Sequence, residues 1–376
     1  MKKFRDLFPI TENKIYVNHA SSSPFSIKIK EALNDHIQLR ATDPDTAWKN
    51  MFQTSQKLRS LFSGIIKADS TDRIAYTQNT THGLNIIASG LDWKKGDEIL
   101  IPDNEFPANV YPYKNLERQG VDINFLPTPE GGITPKILRS SINSNTKLLS
   151  LSFVEFLSGY KHDLKSIGQI CKENDVIFIV DSIQGLGAIP IDVQKYHIDG
   201  LANGGHKWLM SPTGIGFLYL TKQLQNKITQ SQLGWSGLND FSNFLDYNRS
   251  IKASAKRYEL GTLNFDGLIG AHTAISLLQN IGINNIYSHL KQLTTYCLRE
   301  LKKIGMNIHT NDEIEHRSGI ITFYKDNDSK NLFKYLKGNE VVCSFRHKMI
   351  RISPHFYNNR EEIDRIIQLC QSFPGH

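Results

Sequence analysis

The amino-acid sequence predicts an α/β fold in which helices flank a mostly parallel sheet. From about residue 73 to residue 220, short and continuously apolar runs alternate with helical segments. Such runs are typical of strands that are buried on both faces. The alternation stops near residue 222, and the remaining chain shows helices mixed with short strands. We therefore expect a large α/β domain followed by a smaller α+β domain.

Two helices and a short strand-like run precede the alternating region. The run covers residues 15–20, and the helices are predicted after Pro24 to about residue 41 and over residues 46–66. The strands of the alternating region are predicted at residues 73–77, 98–101, 121–126, 147–153, 176–180 and 214–220. The helices between them are predicted at residues 84–91, 107–118, 135–142 and 163–174.

The C-terminal part of the chain is predicted to be mainly helical. Helices are expected at residues 265–280 and 283–304 and from residue 360, with short strands at residues 320–324 and 349–352. We place the large domain at residues 21–264 and the small domain at residues 265–376, with the N-terminal segment 1–20 packing near the small domain.

Composition and charge exclude several classes of protein. The 376 residues carry a net charge of +7, but lysine and arginine are spread along the chain and no nucleic-acid motif is present. No apolar run reaches membrane-spanning length, and the charged N-terminus lacks the apolar core of a secretory signal. The four cysteines are scattered without a CxxC pair, so we expect no metal site, no disulfides and a cytoplasmic location.

The segment 203–207, Asn-Gly-Gly-His-Lys, holds a lysine next to two glycines and before an apolar run. Glycines let a backbone approach a ligand closely. A partly desolvated lysine has a lowered amine pKa and forms Schiff bases with carbonyl compounds. Lys207 is therefore the first candidate for a catalytic residue, with a surface lysine in a turn as the alternative.

Two further polar groups follow predicted strands. Asp181 ends an apolar strand and precedes Gln184 by three residues; a buried carboxylate of this kind needs a cationic partner or a donor. Thr80 and Thr81 begin a helix, where hydroxyls and free N–H groups suit a phosphate. Helix capping is the alternative for each of them. Ligands bind beyond the carboxyl ends of such strands, so we expect these groups and Lys207 on one rim.

The order Asp-x-x-Gln, one further strand and a Gly-Gly-His-Lys turn resembles the class V aminotransferase family of pyridoxal-phosphate enzymes. That family includes cysteine desulfurases, kynureninase and isopenicillin N epimerase. The resemblance runs from about Asn18 to about Asp364. It implies fold type I, with a mostly parallel seven-stranded sheet in the large domain, and pyridoxal 5′-phosphate as the cofactor.

The resemblance implies roles for the residues on the predicted rim. Lys207 would carry the cofactor as an aldimine (a Schiff base) and later move protons. Asp181 would bind the pyridine nitrogen, and Gln184 the ring oxygen. The phosphate would be held by the side chains of Thr80, Thr81 and His206. Phe106, in Glu-Phe-Pro at the place where relatives often carry a histidine, would stack on the ring.

The resemblance also implies substrate contacts and a homodimer with shared sites. Arg351 matches an arginine that grips the substrate carboxylate, for which a planar guanidinium is suited. Asn18 and His19 resemble a segment that faces the substrate. Trp235 and Thr262 resemble segments that reach the cofactor of the partner subunit.

Three positions depart from the family pattern. Gly204 replaces a serine of the lysine motif, which removes one hydroxyl from the phosphate site. Glu155 stands where relatives commonly place an asparagine, and is expected to act as an acid/base group or to contact a basic substrate. Cys343 lies on an apolar run rather than on a mobile loop, so we expect it to be inert rather than a carrier of persulfide sulfur.

These features predict an enzyme that acts at Cα of an amino acid. An aminotransferase is the first interpretation, and a C–S β-lyase or a desulfurase-like enzyme without a persulfide cysteine is the second. Epimerisation and a cofactor-binding protein without turnover are the remaining alternatives. The choice depends on the fate of a carbanion that the cofactor stabilises in each case.

Overall fold

The computed structural model describes residues 2–240 and 243–374. The predicted domain ranges also contain Met1, Gly375 and His376, which lie outside the described residues. Within the described ranges the strands form a seven-stranded sheet, a four-stranded sheet and a two-stranded ribbon.

The strands and helices are numbered separately in chain order. The strands are β1 (Ile15–Tyr16), β2 (Ile74–Thr77), β3 (Glu98–Pro102), β4 (Asp122–Leu126), β5 (Thr146–Ser152), β6 (Ile177–Asp181), β7 (Gly200–Gly204), β8 (Gly216–Leu220), β9 (Asn307–Ile308), β10 (Ile321–Tyr324), β11 (Val341–Val342), β12 (Ser344–Arg346) and β13 (Met349–Ile352). The helices are α1 (Ile27–Thr42), α2 (Pro44–Ile66), α3 (Thr80–Gly90), α4 (Tyr111–Lys114), α5 (Pro135–Ser141), α6 (Leu164–Glu173), α7 (Lys222–Lys227), α8 (Phe265–Ile281), α9 (Ile283–Lys303), α10 (Ser329–Gly338) and α11 (Arg360–Ser372).

The seven-stranded sheet has the strand order β2-β8-β7-β6-β5-β3-β4. Strand β8 runs antiparallel to both of its neighbours, and the other pairs are parallel. The predicted α/β class and the mostly parallel seven-stranded sheet are therefore confirmed.

Apart from the edge strand β4, which is largely exposed, both faces of this sheet are buried, and this explains the apolar runs of its strands. Alternate side chains of each strand point to opposite faces. Phe178 and Val180 of β6 belong to a hydrophobic cluster shared with α2, α6 and α8. Ile179, between them, belongs to a second cluster that is shared with α3 and α4. The sheet is thus the middle layer of an α/β/α arrangement.

The C-terminal part forms its own hydrophobic cluster. The antiparallel four-stranded sheet has the order β12-β13-β10-β9 and packs with α9, α10 and α11. The N-terminal segment joins this part, because β1 pairs in parallel with β11 and Asn18 bridges to Ser353. The N-terminal segment consequently reaches the strand that carries Arg351.

The chain leaves the hydrophobic cluster of the large sheet later than the predicted domain boundary, which lies between residues 264 and 265. Helix α8 packs against α1 and α2, and its buried residues belong to the cluster of the large sheet. The residues of α9 divide between the two parts, since Ile286 and Leu290 join the large cluster and Leu293 joins the small one. We therefore propose that the division between the domains lies within α9.

The predicted helix over residues 107–118 is wrong as a continuous helix. A 3₁₀ turn at Pro107–Asn109, the short α4 and a second 3₁₀ turn at Glu117–Gln119 replace it. Pro107 and Pro112 lack an N–H donor and restrict the backbone of the residue before them. Each of them therefore stands at the beginning of a new short turn and does not continue a helix.

Neither a membrane-spanning helix nor a metal-binding cluster occurs in the described ranges. None of the helices there combines the length and the apolar character that crossing a bilayer requires. No three His, Cys, Asp or Glu side chains there are grouped so that they could hold a metal ion.

Candidate active site

Lys207 and Asp181 face each other at the carboxyl ends of neighbouring strands. Asp181 is the last residue of β6, and Lys207 follows the end of β7, the strand that pairs with β6. Burial lowers the pKa of the Lys207 amine to about 8, although the charge of Asp181 opposes this shift. Burial likewise raises the pKa of Asp181 to about 6, against an N–H bond from Ile183 and the charge of Lys207. The sequence correctly predicted that both groups lie on one rim.

The loop that carries Lys207 is anchored by a chain of hydrogen bonds through Ser23, His19 and Tyr357. The hydroxyl of Ser23 donates to the carbonyl of Lys207, and it contacts Nδ1 of His19 at 2.8 Å. Nε2 of His19 lies 2.7 Å from the hydroxyl of Tyr357. Since His19 is fully buried with both ring nitrogens engaged, the predicted contact of His19 with a substrate does not fit the structure. We propose that His19 positions the Lys207 loop instead.

Gln184 has its amide orientation fixed by two hydrogen bonds. Nε1 of Trp208 donates to Oε1 of Gln184 at 3.0 Å, and Nε2 of Gln184 donates to the carbonyl of Ala20 at 3.0 Å. An amide nitrogen has two donors, so a second N–H remains for a ligand. The predicted hydrogen bond to a cofactor ring oxygen is compatible with this arrangement. The side chain of Gln184 bonds to Trp208 and Ala20 and does not cap a helix.

Thr80, Thr81 and His206 surround a place suited to an anion. Thr80 is buried in the first turn of α3, and its hydroxyl has no hydrogen-bond partner. Thr81 follows it in the same exposed helix end. A Cβ added to Gly204 would lie 3.2 Å from Oγ1 of Thr80 and 3.5 Å from Nδ1 of His206. A side chain at Gly204 would therefore be crowded, and its absence lets Thr80 and His206 approach the same point at a helix N-terminus.

Phe106 presents its ring to Lys207. The ring centroid lies 5.6 Å from Nζ of Lys207, and the ring contacts Phe156 edge-on at 5.3 Å. Glu105, the preceding residue, is buried and accepts hydrogen bonds from the N–H and the hydroxyl of Ser152 at the end of β5. Glu105 thereby ties the Phe106 segment to the sheet, and burial raises its pKa to about 7.

Arg351 is a buried cation without a carboxylate partner in the described part of the chain. Its guanidinium donates to the hydroxyls of Ser344 and Ser21 at 3.2 and 2.9 Å and to the carbonyl of Phe156 at 2.5 Å. Burial and the charge of Arg346 lower its pKa to about 10. A buried cation held by neutral groups is suited to the carboxylate of an incoming ligand.

Arg351 gives a testable prediction about substrate binding. We expect Arg351→Ala to raise KM for an amino acid by about 10–100-fold, the value of a charge-assisted hydrogen bond, while cofactor affinity changes far less. Arg351→Lys keeps the positive charge but lacks the planar guanidinium, so its KM should lie between those of the wild type and Arg351→Ala. Steady-state kinetics and cofactor titration measure both quantities, and equal losses would mean that Arg351 is structural.

Trp235 and Thr262 line a cavity that Lys207 does not line. They line a space of about 290 Å³ together with Trp48, Phe52 and Phe265. None of the other predicted cofactor residues lines this space. Contact of Trp235 and Thr262 with a cofactor therefore stays a prediction that requires a second subunit.

Asn18 and Glu155 are the remaining predicted substrate residues. The amide oxygen of Asn18 is buried without a hydrogen-bond partner, and so are both carboxyl oxygens of Glu155. Their contacts with a substrate stay predictions, although each of them has an unsatisfied polar atom that a ligand could satisfy.

Sequence reasoning missed the residues that support this site. Glu105 was left without a role although it precedes Phe106 after a buried strand, which is the signal that could have found it. Ser21 begins a serine run that follows Asn18, His19 and Ala20. Arg346 stands on the same face of the β12–β13 hairpin as Ser344, the serine bonded to Arg351.

Comparison with known proteins identifies the family. The model of the aminotransferase class-V family matches residues 27–366. A probable cysteine desulfurase of Borreliella burgdorferi is 32% identical over 98% of this chain and 94% of its own length. A probable cysteine desulfurase of Methanothermobacter thermautotrophicus is 27% identical, over 99% and 97% of the two chains.

Solved structures share the fold. The apo cysteine desulfurase of Thermococcus onnurineus superimposes with a TM-score of 0.90 at 22% identity, covering 98% of this chain and 96% of the other. The cystine C–S lyase C-DES, in complex with its reaction product cysteine persulfide, gives a TM-score of 0.89 at 24% identity, covering 97% and 99%.

The fold and the lysine-centred rim thus define a class of α/β enzymes with a smaller second domain. The family match over most of the chain shows that this protein belongs to the aminotransferase class-V family.

Proposed function

We propose that this protein is a pyridoxal-phosphate-dependent C–S lyase that removes sulfur from cysteine or a related amino acid without an enzyme-bound persulfide. The observation that carries the proposal is that the Lys207 amine lies within reach of the charges of Asp181 and Arg351, in a chain whose four thiols all have raised pKa values. This interpretation replaces aminotransfer, the first expectation from the sequence.

The residues at the rim fit pyridoxal phosphate. Asp181 is a buried carboxylate that has an N–H donor but no full counter-ion, which suits the pyridine nitrogen. The unpartnered hydroxyl of Thr80 in the first turn of α3, with His206 nearby across Gly204, suits the phosphate. Lys207 would attach the cofactor through Nζ, and the ring of Phe106 would cover it. When bound, the cofactor supplies an electron sink for the bonds at Cα.

The side chains of this protein supply binding and proton transfer. Arg351 would orient the substrate by its carboxylate. Nζ of Lys207 takes the proton from Cα, a role for which a pKa of about 8 favours the neutral amine at mildly alkaline pH. The Cβ–S bond then breaks with its electron pair leaving on sulfur. With one water molecule, cystine yields pyruvate, ammonia and cysteine persulfide, and cysteine yields pyruvate, ammonia and sulfide.

All four cysteines of the chain argue against a persulfide carrier. Cys171, Cys297 and Cys370 are buried, and burial raises the pKa of each of them. Burial also raises the pKa of Cys343 to about 12, so its thiol stays protonated and poorly nucleophilic. The four thiols are free, which supports the predicted cytoplasmic location.

The segment before Arg351 also leaves no room for a mobile cysteine loop. A two-residue turn at His347 and Lys348 joins β12 to β13, and both residues have positive φ angles of 44° and 65°. A hairpin with a two-residue turn holds both strands in place, so this part of the chain does not form a long flexible loop. Sulfur is therefore expected to leave in the product rather than on the protein.

Cys343→Ala tests this point. We expect turnover of cysteine and of cystine to stay at the wild-type level, because Cys343 packs against the hydrophobic cluster of the small sheet and its thiol is not ionised. Pyruvate release by the variant and by the wild type measures it, and mass spectrometry of the intact wild-type protein should show no added sulfur after turnover. Loss of activity together with a +32 Da adduct on wild-type Cys343 would restore the desulfurase mechanism.

Aminotransfer is the second candidate, because the matching family model and a Bacillus subtilis relative 26% identical carry the aminotransferase name. A panel of cysteine, cystine, alanine and glutamate decides between the two. Pyruvate with sulfide or persulfide from the sulfur amino acids alone supports the lyase. Keto acids formed in proportion to pyridoxamine phosphate would contradict it.

We also propose that the protein acts as a homodimer. Trp235 is exposed, and with Thr262 it lines a cavity that the Lys207 group does not share. Mixed dimers of a Lys207→Ala chain and a Thr262→Ala chain test the proposal. With shared sites, one wild-type site re-forms and activity returns, whereas two independent monomers would recover none.

A further inference from the structure

Glu155 is a buried carboxyl group without a hydrogen-bond partner at the edge of the site. It is 1% exposed, and neither of its carboxyl oxygens is bonded. The ring of the next residue, Phe156, contacts Phe106, and the carbonyl of Phe156 accepts from Arg351. A buried polar group costs free energy unless it is bonded, so an orphaned carboxyl group beside a ligand site indicates a ligand contact.

His162, the histidine near Glu155, cannot serve as a positively charged partner for it. Nε2 of His162 lies 4.0 Å from Oε1 of Glu155. Nδ1 of His162 contacts the carbonyl of Ser152 at 2.8 Å and must donate to it, while Nε2 accepts from the N–H of Ile133 at 3.0 Å. The ring is therefore a neutral imidazole with its single N–H in use. Burial lowers the pKa of His162 to about 3, which keeps it neutral.

The charges that shift the pKa of Glu155 are all those of acids. Burial is the main cause that raises the pKa of Glu155 well above its usual range, and the charges of Glu105, Asp181 and Asp103 raise it further. An ionised Glu155 would be a buried anion beside other anions, and it forms no ion pair with a lysine or an arginine in the described ranges. The neutral carboxylic acid is the form that this environment stabilises.

We infer that Glu155 stays protonated at neutral pH and donates its O–H to an acceptor oxygen of the molecule bound in front of Lys207. A neutral carboxylic acid has one O–H donor, whereas a carboxylate has none. The inference rests on the proposed function only for the identity of that molecule. The acceptor belongs either to the ring of the cofactor or to the carboxylate of the amino acid. This inference takes the place of the contact with a basic substrate, which would need an ionised Glu155.

The protonation state is tested on the full chain by infrared spectroscopy, with and without cofactor. The difference between wild type and Glu155→Gln at neutral pH should contain the C=O band of a protonated carboxyl group, shifted in D₂O. Glu105→Gln is the matched control, and its acid band should fade as the pH rises through about 7. A difference spectrum that contains only carboxylate bands for Glu155 would overturn the inference, whatever reaction the enzyme catalyses.

The acceptor is identified by comparing Glu155→Gln, which keeps a donor, with Glu155→Leu, which has none. If the cofactor ring is the acceptor, Glu155→Leu shifts the pH titration of the bound cofactor's visible spectrum, and Glu155→Gln restores most of it. If the substrate is the acceptor, the spectrum stays and KM rises about 5–20-fold in Glu155→Leu alone, the value of one hydrogen bond. Wild-type spectrum and KM in a folded Glu155→Leu protein would overturn the donor role.

Discussion

Replacing Lys207 by alanine is expected to abolish turnover and to remove the visible absorption of covalently held cofactor. In the function that we propose, Nζ of Lys207 is both the attachment point of the cofactor and the group that moves the proton. Loss of a general base alone costs about 10²–10⁴-fold in rate. The variant should still fold, because Lys207 is not part of either hydrophobic cluster of the large sheet. Pyruvate release and the absorption spectrum measure the effect.

Lys207→Arg is the matched control for charge. A guanidinium keeps the positive charge beside Asp181, but it stays protonated and forms no imine. We expect it to be as inactive as the alanine variant while preserving the fold. Substantial turnover by either variant would contradict the assignment of the site to Lys207.

Asp181→Asn should lower kcat by about 10²–10³-fold, the typical cost of removing one group that stabilises charge in the transition state. An amide of nearly the same shape cannot balance a protonated pyridine nitrogen. The N–H bond from Ile183 can still be accepted by the amide oxygen, so the fold should persist. Kinetics with saturating cofactor and a cofactor titration separate turnover from binding. Wild-type kcat would mean that Asp181 is structural.

The same variant makes a prediction about Lys207 in the cofactor-free protein. The anionic Asp181 raises the pKa of Lys207, so its removal should bring that pKa below about 8. Only the neutral amine attacks an aldehyde, and the rate of cofactor capture should therefore rise with pH through this pKa. In Asp181→Asn the midpoint should move to lower pH. An unmoved midpoint would show that the two groups do not interact.

The positions of six strands of the large sheet were predictable from their apolar runs, whereas β7 (Gly200–Gly204), which is rich in glycine, was expected but not placed. Each of those six strands has apolar residues on consecutive positions, and the polar residue at a strand end, such as Asp181, marks the rim. The packing of α8 was not predictable in this way. Its apolar pattern shows that one face is buried, but not that α1 and α2 cover it.

The location of a site residue was predictable where the residue stands at or close to the end of a strand or helix. Lys207, Asp181 and Thr80 lie at strand or helix ends, where backbone geometry places them. The burial of His19 behind the Lys207 loop depends on Tyr357, far away in the sequence, and no local pattern contains that contact. The neutral state of Glu155 likewise depends on the tautomer of His162, which is set by Ser152 and Ile133.

The fate of the cofactor in a single turnover with cystine is the most direct test of C–S elimination at this site. We expect pyruvate, ammonia and cysteine persulfide in equal amounts, with the visible spectrum returning to that of the resting enzyme. Conversion of the cofactor to pyridoxamine phosphate, with release of a keto acid that retains the sulfur, would contradict the lyase and establish an aminotransferase.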